Sequence, residues 1–183
     1  GLNAYEMFAQ PRKAYLLHGV EPELDCYNPQ QALAALKQAA LVVMLTPFKH
    51  PAALEYADVL LPCSPFSETS GTFINCEGRA QSFNGVVAPL GETRPAWKVL
   101  RVLGNLLNLD GFAYETSEQV RDELIGTEEL VAGRDNGLAS ADIALPVALG
   151  GLQRISDVPI FFADPLVRKA PALQKTSDAV EPT

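Results

Sequence analysis

Short apolar runs separated by polar or amphipathic stretches organise the first third of the chain. Lys13-Ala14-Tyr15-Leu16-Leu17-His18 has the length and make-up of a buried strand and stops at Gly19. A polar loop holding Glu21, Pro22, Glu23 and Asp25 comes next. Asn28 then suits the N-cap of a helix and Pro29 its first position, with Leu33, Leu36 and Ala40 recurring on one face. Leu41-Val42-Val43-Met44-Leu45 is a continuous apolar run closed by Thr46-Pro47, as expected of a strand covered on both faces. Strand, helix, strand predicts a parallel pair joined by a right-handed crossover. The unit repeats in shorter form: residues 50–56 suit a short helix, and Asp58-Val59-Leu60-Leu61, ended by Pro62, is a third strand.

The pattern changes at residues 68–81, which read E-x-x-G-T-x-x-N-x-E-G-R-x-Q. Gly71 and Gly78 admit backbone angles closed to other residues, and Thr72-Phe73-Ile74 has strand chemistry, so a hairpin with its apex at Glu77-Gly78-Arg79 is predicted. Asn84-Gly85 is a second turn signal before Val86-Val87. Glu68, Glu77 and Arg79 suit either an internal charge network or the lining of a ligand cleft. Thr93 or Arg94 opens a long helix with Pro95 in its first turn. Val99, Val102, Leu103 and Leu106 mark its face, widened by Trp97 and Leu100. Thr116-x-x-Gln119 resembles a capping box for a further helix with Val120 and Leu124 on its edge. Beyond Gly126 no helical pattern lasts two turns, and Gly133, Gly137, Gly150 and Gly151 punctuate the chain. Residues 158–162 suit a short edge strand, and residues 169–183, with Pro171 and Pro182, suit a linker. The expected architecture is a doubly wound, mainly parallel α/β sheet over 1–126 with an added hairpin. An irregular, partly helical extension over 127–168 and a tail over 169–183 complete it.

At 183 residues the chain needs no covalent staples to bury a core, and no apolar run reaches membrane-spanning length. It shows no secretory signal pattern, and its start at Gly1-Leu2-Asn3 suggests a fragment of a longer protein. A net charge of -8 with no basic stripe argues against nucleic acid. Cys26, Cys63 and Cys76 are too far apart for C-x-x-C pairs and leave one unpaired, so reduced thiols are expected. Cys63 and Cys76 suit small apolar fillers. A metal or cluster site is not expected, because only His18 and His50 could add to those thiols. No G-x-G-x-x-G, G-x-x-x-x-G-K-[ST] or G-x-S-x-G is present. Any cleft would lie outside the carboxyl ends of the parallel strands, at His18-Gly19-Val20, Thr46-Pro47 and Pro62-Cys63.

Residues 68–81, followed by Pro89-Leu90-Gly91-Glu92-Thr93-Arg94-Pro95-Ala96-Trp97-Lys98, resemble the carboxy-proximal α/β region of the molybdopterin oxidoreductase family. Within that family the resemblance is to the large iron-sulfur subunit of bacterial respiratory NADH:quinone oxidoreductase, complex I. It runs from about Lys13 to Asn108, and the stretches 157–161 and 164–174 resemble the same subunit. It implies a non-catalytic fragment, without metal or cofactor of its own, of a parent subunit that carries iron-sulfur clusters in a complex using NADH and FMN. The implied partners are other subunits of the peripheral arm, on the cytoplasmic side of the bacterial inner membrane, with neither nucleic acid nor direct membrane insertion. The residues of a vestigial pterin cleft would be His18, Gly19, Thr46, Glu68, Gly71, Thr72, Asn75, Glu77 and Arg79. Catalytic relatives such as formate dehydrogenases use this sheet and its glycine loop to help bound the pterin, and an active enzyme of that kind is the alternative. An unrelated α/β ligand-binding domain is a second alternative. Where catalytic relatives often carry G-x-N-P, this chain reads Gly19-Val20-Glu21-Pro22, which would repel phosphate.

Overall fold

A computed structural model describes residues 1–126, 151, 160–177 and 179. The chain divides into two compact units, Gly1–Arg134 and Asp135–Thr183.

The first unit opens with α1 (Ala4–Ala9), a helix that the apolar pattern alone did not predict. Its start is fixed by a capping box: Asn3 Oδ1 accepts the Glu6 amide at 2.9 Å and the Glu6 carboxylate accepts the Asn3 amide at 2.9 Å. Next come β1 (Ala14–His18), α2 (Pro22–Asp25), α3 (Pro29–Gln38), β2 (Leu41–Thr46) and β3 (Val59–Pro62), with a 3-10 turn at Ala52–Glu55. The strands form a parallel sheet in the order β1-β2-β3, with Tyr15 beside Val42 and Met44 beside Leu60. Asn28 caps α3 through its side chain, which accepts the Gln31 amide at 3.0 Å.

The core lies where α3 covers one face of this sheet. Tyr15, Leu17, Ala35, Leu36, Val42, Met44, Ala53 and Tyr56 are its buried members, with Met7 and Phe8 of α1 packed against them. The central strand is closed on both faces, since Met44 and Leu45 are both fully buried. The edge strands are less covered than the buried strands expected of them. In β1 buried and exposed residues alternate, leaving Leu16 50% exposed, because an edge strand is covered by α3 on one face and has no neighbour on its outer side. Asp58 ties β3 to β2: its carboxylate accepts the Val42 amide at 2.7 Å and its own amide donates to the Val42 carbonyl at 2.9 Å.

The expected hairpin is β4 (Gly71–Ile74) with β5 (Ala80–Phe83), antiparallel, Gly71 opposite Phe83 and Ile74 opposite Ala80. Phe73 and Phe83 stack at 4.9 Å. Gly78 has φ +81° at the apex, a conformation strained for any side chain.

α4 (Ala96–Leu106) has Pro95 as its N-cap, where Thr93 or Arg94 was expected to open the helix with Pro95 in its first turn. Its predicted apolar face is only partly used. Gly104 is buried against the Phe112 ring and Trp97 is half-buried with Lys98 over its ring at 5.3 Å, whereas Val102 and Leu106 are exposed. Trp97, Val99, Leu100 and Leu103 are half-buried beside the covered Gly104, and only Val102 and Leu106 of the predicted face stand in solvent. The helix closes through Asn108, left-handed at φ 54°, with the Leu109 amide donating to Gly104 at 3.0 Å. α5 (Ser117–Ile125) carries the predicted capping box at Thr116 and Gln119. Among the described residues no helix is long and apolar enough to cross a membrane.

In the second unit, α6 spans Ile160–Ala163 where part of an edge strand was expected; residues 158 and 159, like the glycine-punctuated stretch before Gly151, lie outside the described residues. The carbonyls of Phe161 and Phe162 accept from the Gln174 and Arg168 side chains, both at 3.3 Å, in place of a strand neighbour. Two 3-10 turns follow, Val167–Lys169 and Leu173–Lys175, the first started by Asp164 Oδ1 accepting the amides of Leu166 and Val167.

Candidate site at the carboxyl ends of the parallel strands

Parallel pairing brings the loops after β1, β2 and β3 to one edge of the sheet, the edge at which open α/β sheets bind ligands. His18 ends β1 and is exposed, Gly19 follows at φ +62°, and the Gly19 amide donates to Leu45 at 3.0 Å. Thr46 ends β2, buried, its hydroxyl shared between the amide and carbonyl of Phe48, each at 3.1 Å. Cys63 continues from β3, buried, and its amide reaches Thr46 at 3.2 Å. Burial pushes the Cys63 thiol up, so it is a poor nucleophile. A cleft of about 260 Å³ beside β2 and β3 is lined by Thr46, Pro47, Phe48, Lys49, Leu60, Leu61 and Pro62.

The remaining candidates build the hairpin, apart from Glu68, which lies in the 3-10 turn Phe66–Glu68 before it. Asn75 Oδ1 accepts the amides of Glu77 and Arg79 at 3.0 and 2.9 Å, holding the turn. Glu68 Oε2 accepts the Leu90 amide at 3.0 Å, and Thr72 bonds Ser82 at 3.0 Å. Gly71 lies so close under the Phe83 ring that a Cβ would sit 2.8 Å from Cζ. Among the described residues no ion pair joins Glu68, Glu77 and Arg79, and the Asn75 side chain satisfies the turn amides directly. Cys76, expected to fill space, is exposed because it falls within this turn.

Sequence reasoning placed Glu21, Glu23 and Asp25 in the turn after β1 but did not foresee that His50 and Tyr56 meet them there. Glu21 follows β1 and is 5% exposed, and its amide donates to Asp25 Oδ2 at 2.7 Å across α2. Glu23 stands 3.4 Å from Nδ1 of the buried His50, which comes from the loop after β2, and accepts the Tyr56 hydroxyl at 3.0 Å. The local field is negative. The Tyr56 phenol is pushed well above its ordinary value by burial and then by the Glu23 carboxylate, and the Cys26 thiol is pushed up by burial and then by Asp25 and Glu23. The signal was present in adjacent parallel strands, whose following loops must meet, and in the Glu-x-Glu spacing of one helical turn. Glu21, Glu23 and Asp25, in the turn after Gly19, form a donor set suited to cations.

Relatives of known description match part of this chain. Proteins of Staphylococcus aureus strains MRSA252 and USA300, each named as a candidate formate dehydrogenase, are 40% identical to it over 78 residues. The match covers 43% of this chain and 8% of each relative, so the chain corresponds to a small part of their length. A model of the molybdopterin oxidoreductase family matches residues 1–106, more than half of the chain, and with the parallel sheet and hairpin described above this makes the chain a member of that family.

Proposed function

We propose that this chain is a non-catalytic α/β scaffold within the large iron-sulfur subunit of a respiratory NADH:quinone oxidoreductase. The observation that carries this reading is the buried carboxylate of Glu21, with Glu23 and Asp25 behind it, in the turn where catalytic relatives often carry an uncharged residue. Anion binding there is opposed by three carboxylates within one helical turn. The role left to the segment is structural: a sheet and hairpin that position neighbouring parts of a larger redox protein, with NADH, FMN and the clusters held elsewhere in the complex.

A second reading is a segment of an active, formate-dehydrogenase-like molybdopterin enzyme. The similarity to the Staphylococcus aureus proteins supports it, and supports it more directly than any comparison supports the first. The charge at the strand ends is what sets the scaffold reading ahead. Metal and pterin analysis of the full-length parent protein separates them. The scaffold reading expects iron without molybdenum and no pterin fluorescence after acid release. Stoichiometric molybdenum with a released pterin, together with formate oxidation, would overturn it in favour of the second.

A further inference from the structure

The loops after β1 and β2 converge two glutamates and a histidine. One ligand atom from each of Glu21, Glu23 and His50 lies within 4.8 Å of the other two. Glu21 and His50 are 5% and 8% exposed, and Nε2 of the imidazole is buried without a hydrogen-bond partner among the described residues. Nδ1 is 3.4 Å from Glu23 Oε1, the long side of an ion pair. Two carboxylates and an imidazole held this close and this deep present three donor atoms to one point, as the ligands of a single ion do. Around an ion with bonds of roughly 2.0–2.2 Å the ligand atoms stand about 3 to 4.4 Å apart, so small side-chain rotations complete the cage.

We propose that Glu21, Glu23 and His50 bind one divalent first-row cation of the zinc class. Imidazole with two carboxylates is the donor set of such ions, whereas calcium and magnesium take oxygen ligands throughout. Tyr56, donating to the far oxygen of Glu23 at 3.0 Å, orients that carboxylate as an outer-shell partner does. The ion links the α2 turn to the loop after β2, two segments that otherwise meet through the Glu23 contacts with His50 and Tyr56. It gives the acidic strand edge of this chain a ligand opposite in charge to a phosphate. The site goes beyond the scaffold reading and draws on the same acidic turn, but the two fail separately: a chain with neither pterin nor zinc would overturn this proposal alone.

The test is calorimetric titration of the chelator-treated 183-residue chain with Zn2+, alongside its melting temperature. One ion per chain is expected, with a melting temperature that rises with free Zn2+. Glu23→Gln and His50→Gln should each weaken binding at least tenfold. Glu55→Gln, which changes an exposed carboxylate beside Lys37, should leave it unchanged, as should Cys76→Ser. Co2+ loaded into the unaltered chain keeps the proposal testable if the site variants do not fold. X-ray absorption showing nitrogen and oxygen ligands supports the site, and sulfur ligands overturn it. So would the absence of saturable Zn2+ binding, unchanged binding in both site variants, or its loss in Cys76→Ser.

Discussion

Tyr56 joins the core to the acidic edge, its ring among the buried residues and its hydroxyl on Glu23. Its folded pKa lies above the unfolded value of 10.0, so the contribution of this bond to stability is present in full below about pH 10 and is lost as pH rises through the folded value. Tyr114 is raised too, by its hydrogen bond to Glu123, so ultraviolet titration should reveal late phenolate ionisation that Tyr56→Phe reduces by one group, and stability in the variant should fall less steeply above pH 10 than in the parent chain. A late step of unchanged amplitude in Tyr56→Phe would assign it to other phenols. Gly78 poses a purely conformational question. At φ +81° a β-branched side chain meets its own backbone, so Gly78→Val should cost about 1–3 kcal/mol, measured by urea unfolding. An unchanged midpoint would mean that the turn holds a different geometry in solution.

At the level of elements, legibility followed how local each signal was. β2 was readable because five apolar residues in a row have no other comfortable place, and the helices at Asn28 and Thr116 because their caps are written within four residues. α1 escaped because its six residues bury no side chain fully and its capping box lies in a short polar stretch. The acids after β1 were legible, but their meeting with His50 and Tyr56 escaped because it depends on which loops become neighbours, a property of sheet order and not of any one segment. The helix from Trp97 was legible as a helix but not in its packing, since only the placement of Phe112 decides which of its faces is covered. Two substitutions test these two kinds of signal. Thr116→Ala removes a cap acceptor for the Gln119 amide and should cost about 0.5–2 kcal/mol. Gly104→Ala adds a Cβ 2.3 Å from the Phe112 ring inside a helix where alanine is otherwise preferred. A loss of about 1–3 kcal/mol is expected in place of the usual gain. If Gly104→Ala raises the melting temperature, α4 and Phe112 are not packed this way.

For the molecule as a whole, composition and surface act together. The chain carries a net charge of -8 and a sequence pI near 4.7. Large apolar side chains also stand in solvent on several elements, among them Phe73, Val86, Leu90, Leu106 and Leu124, so mutual repulsion of like-charged chains opposes contact between those side chains at neutral pH. Lowering the pH toward 4.7 removes the repulsion and leaves the apolar surface as it was. Light scattering at constant ionic strength should rise to a maximum near pH 4.7 and reverse on return to neutrality. The charge term alone makes the same prediction, so the apolar term needs its own variant. Leu106→Gln with Leu124→Gln leaves the charge and the pI unchanged and removes two of the most exposed apolar side chains, at 75% and 82%. It should lower the scattering maximum without moving its position. A maximum of unchanged height would assign association to charge alone, and a maximum displaced from pH 4.7 in both proteins would point to acid unfolding of the acidic strand edge as its cause.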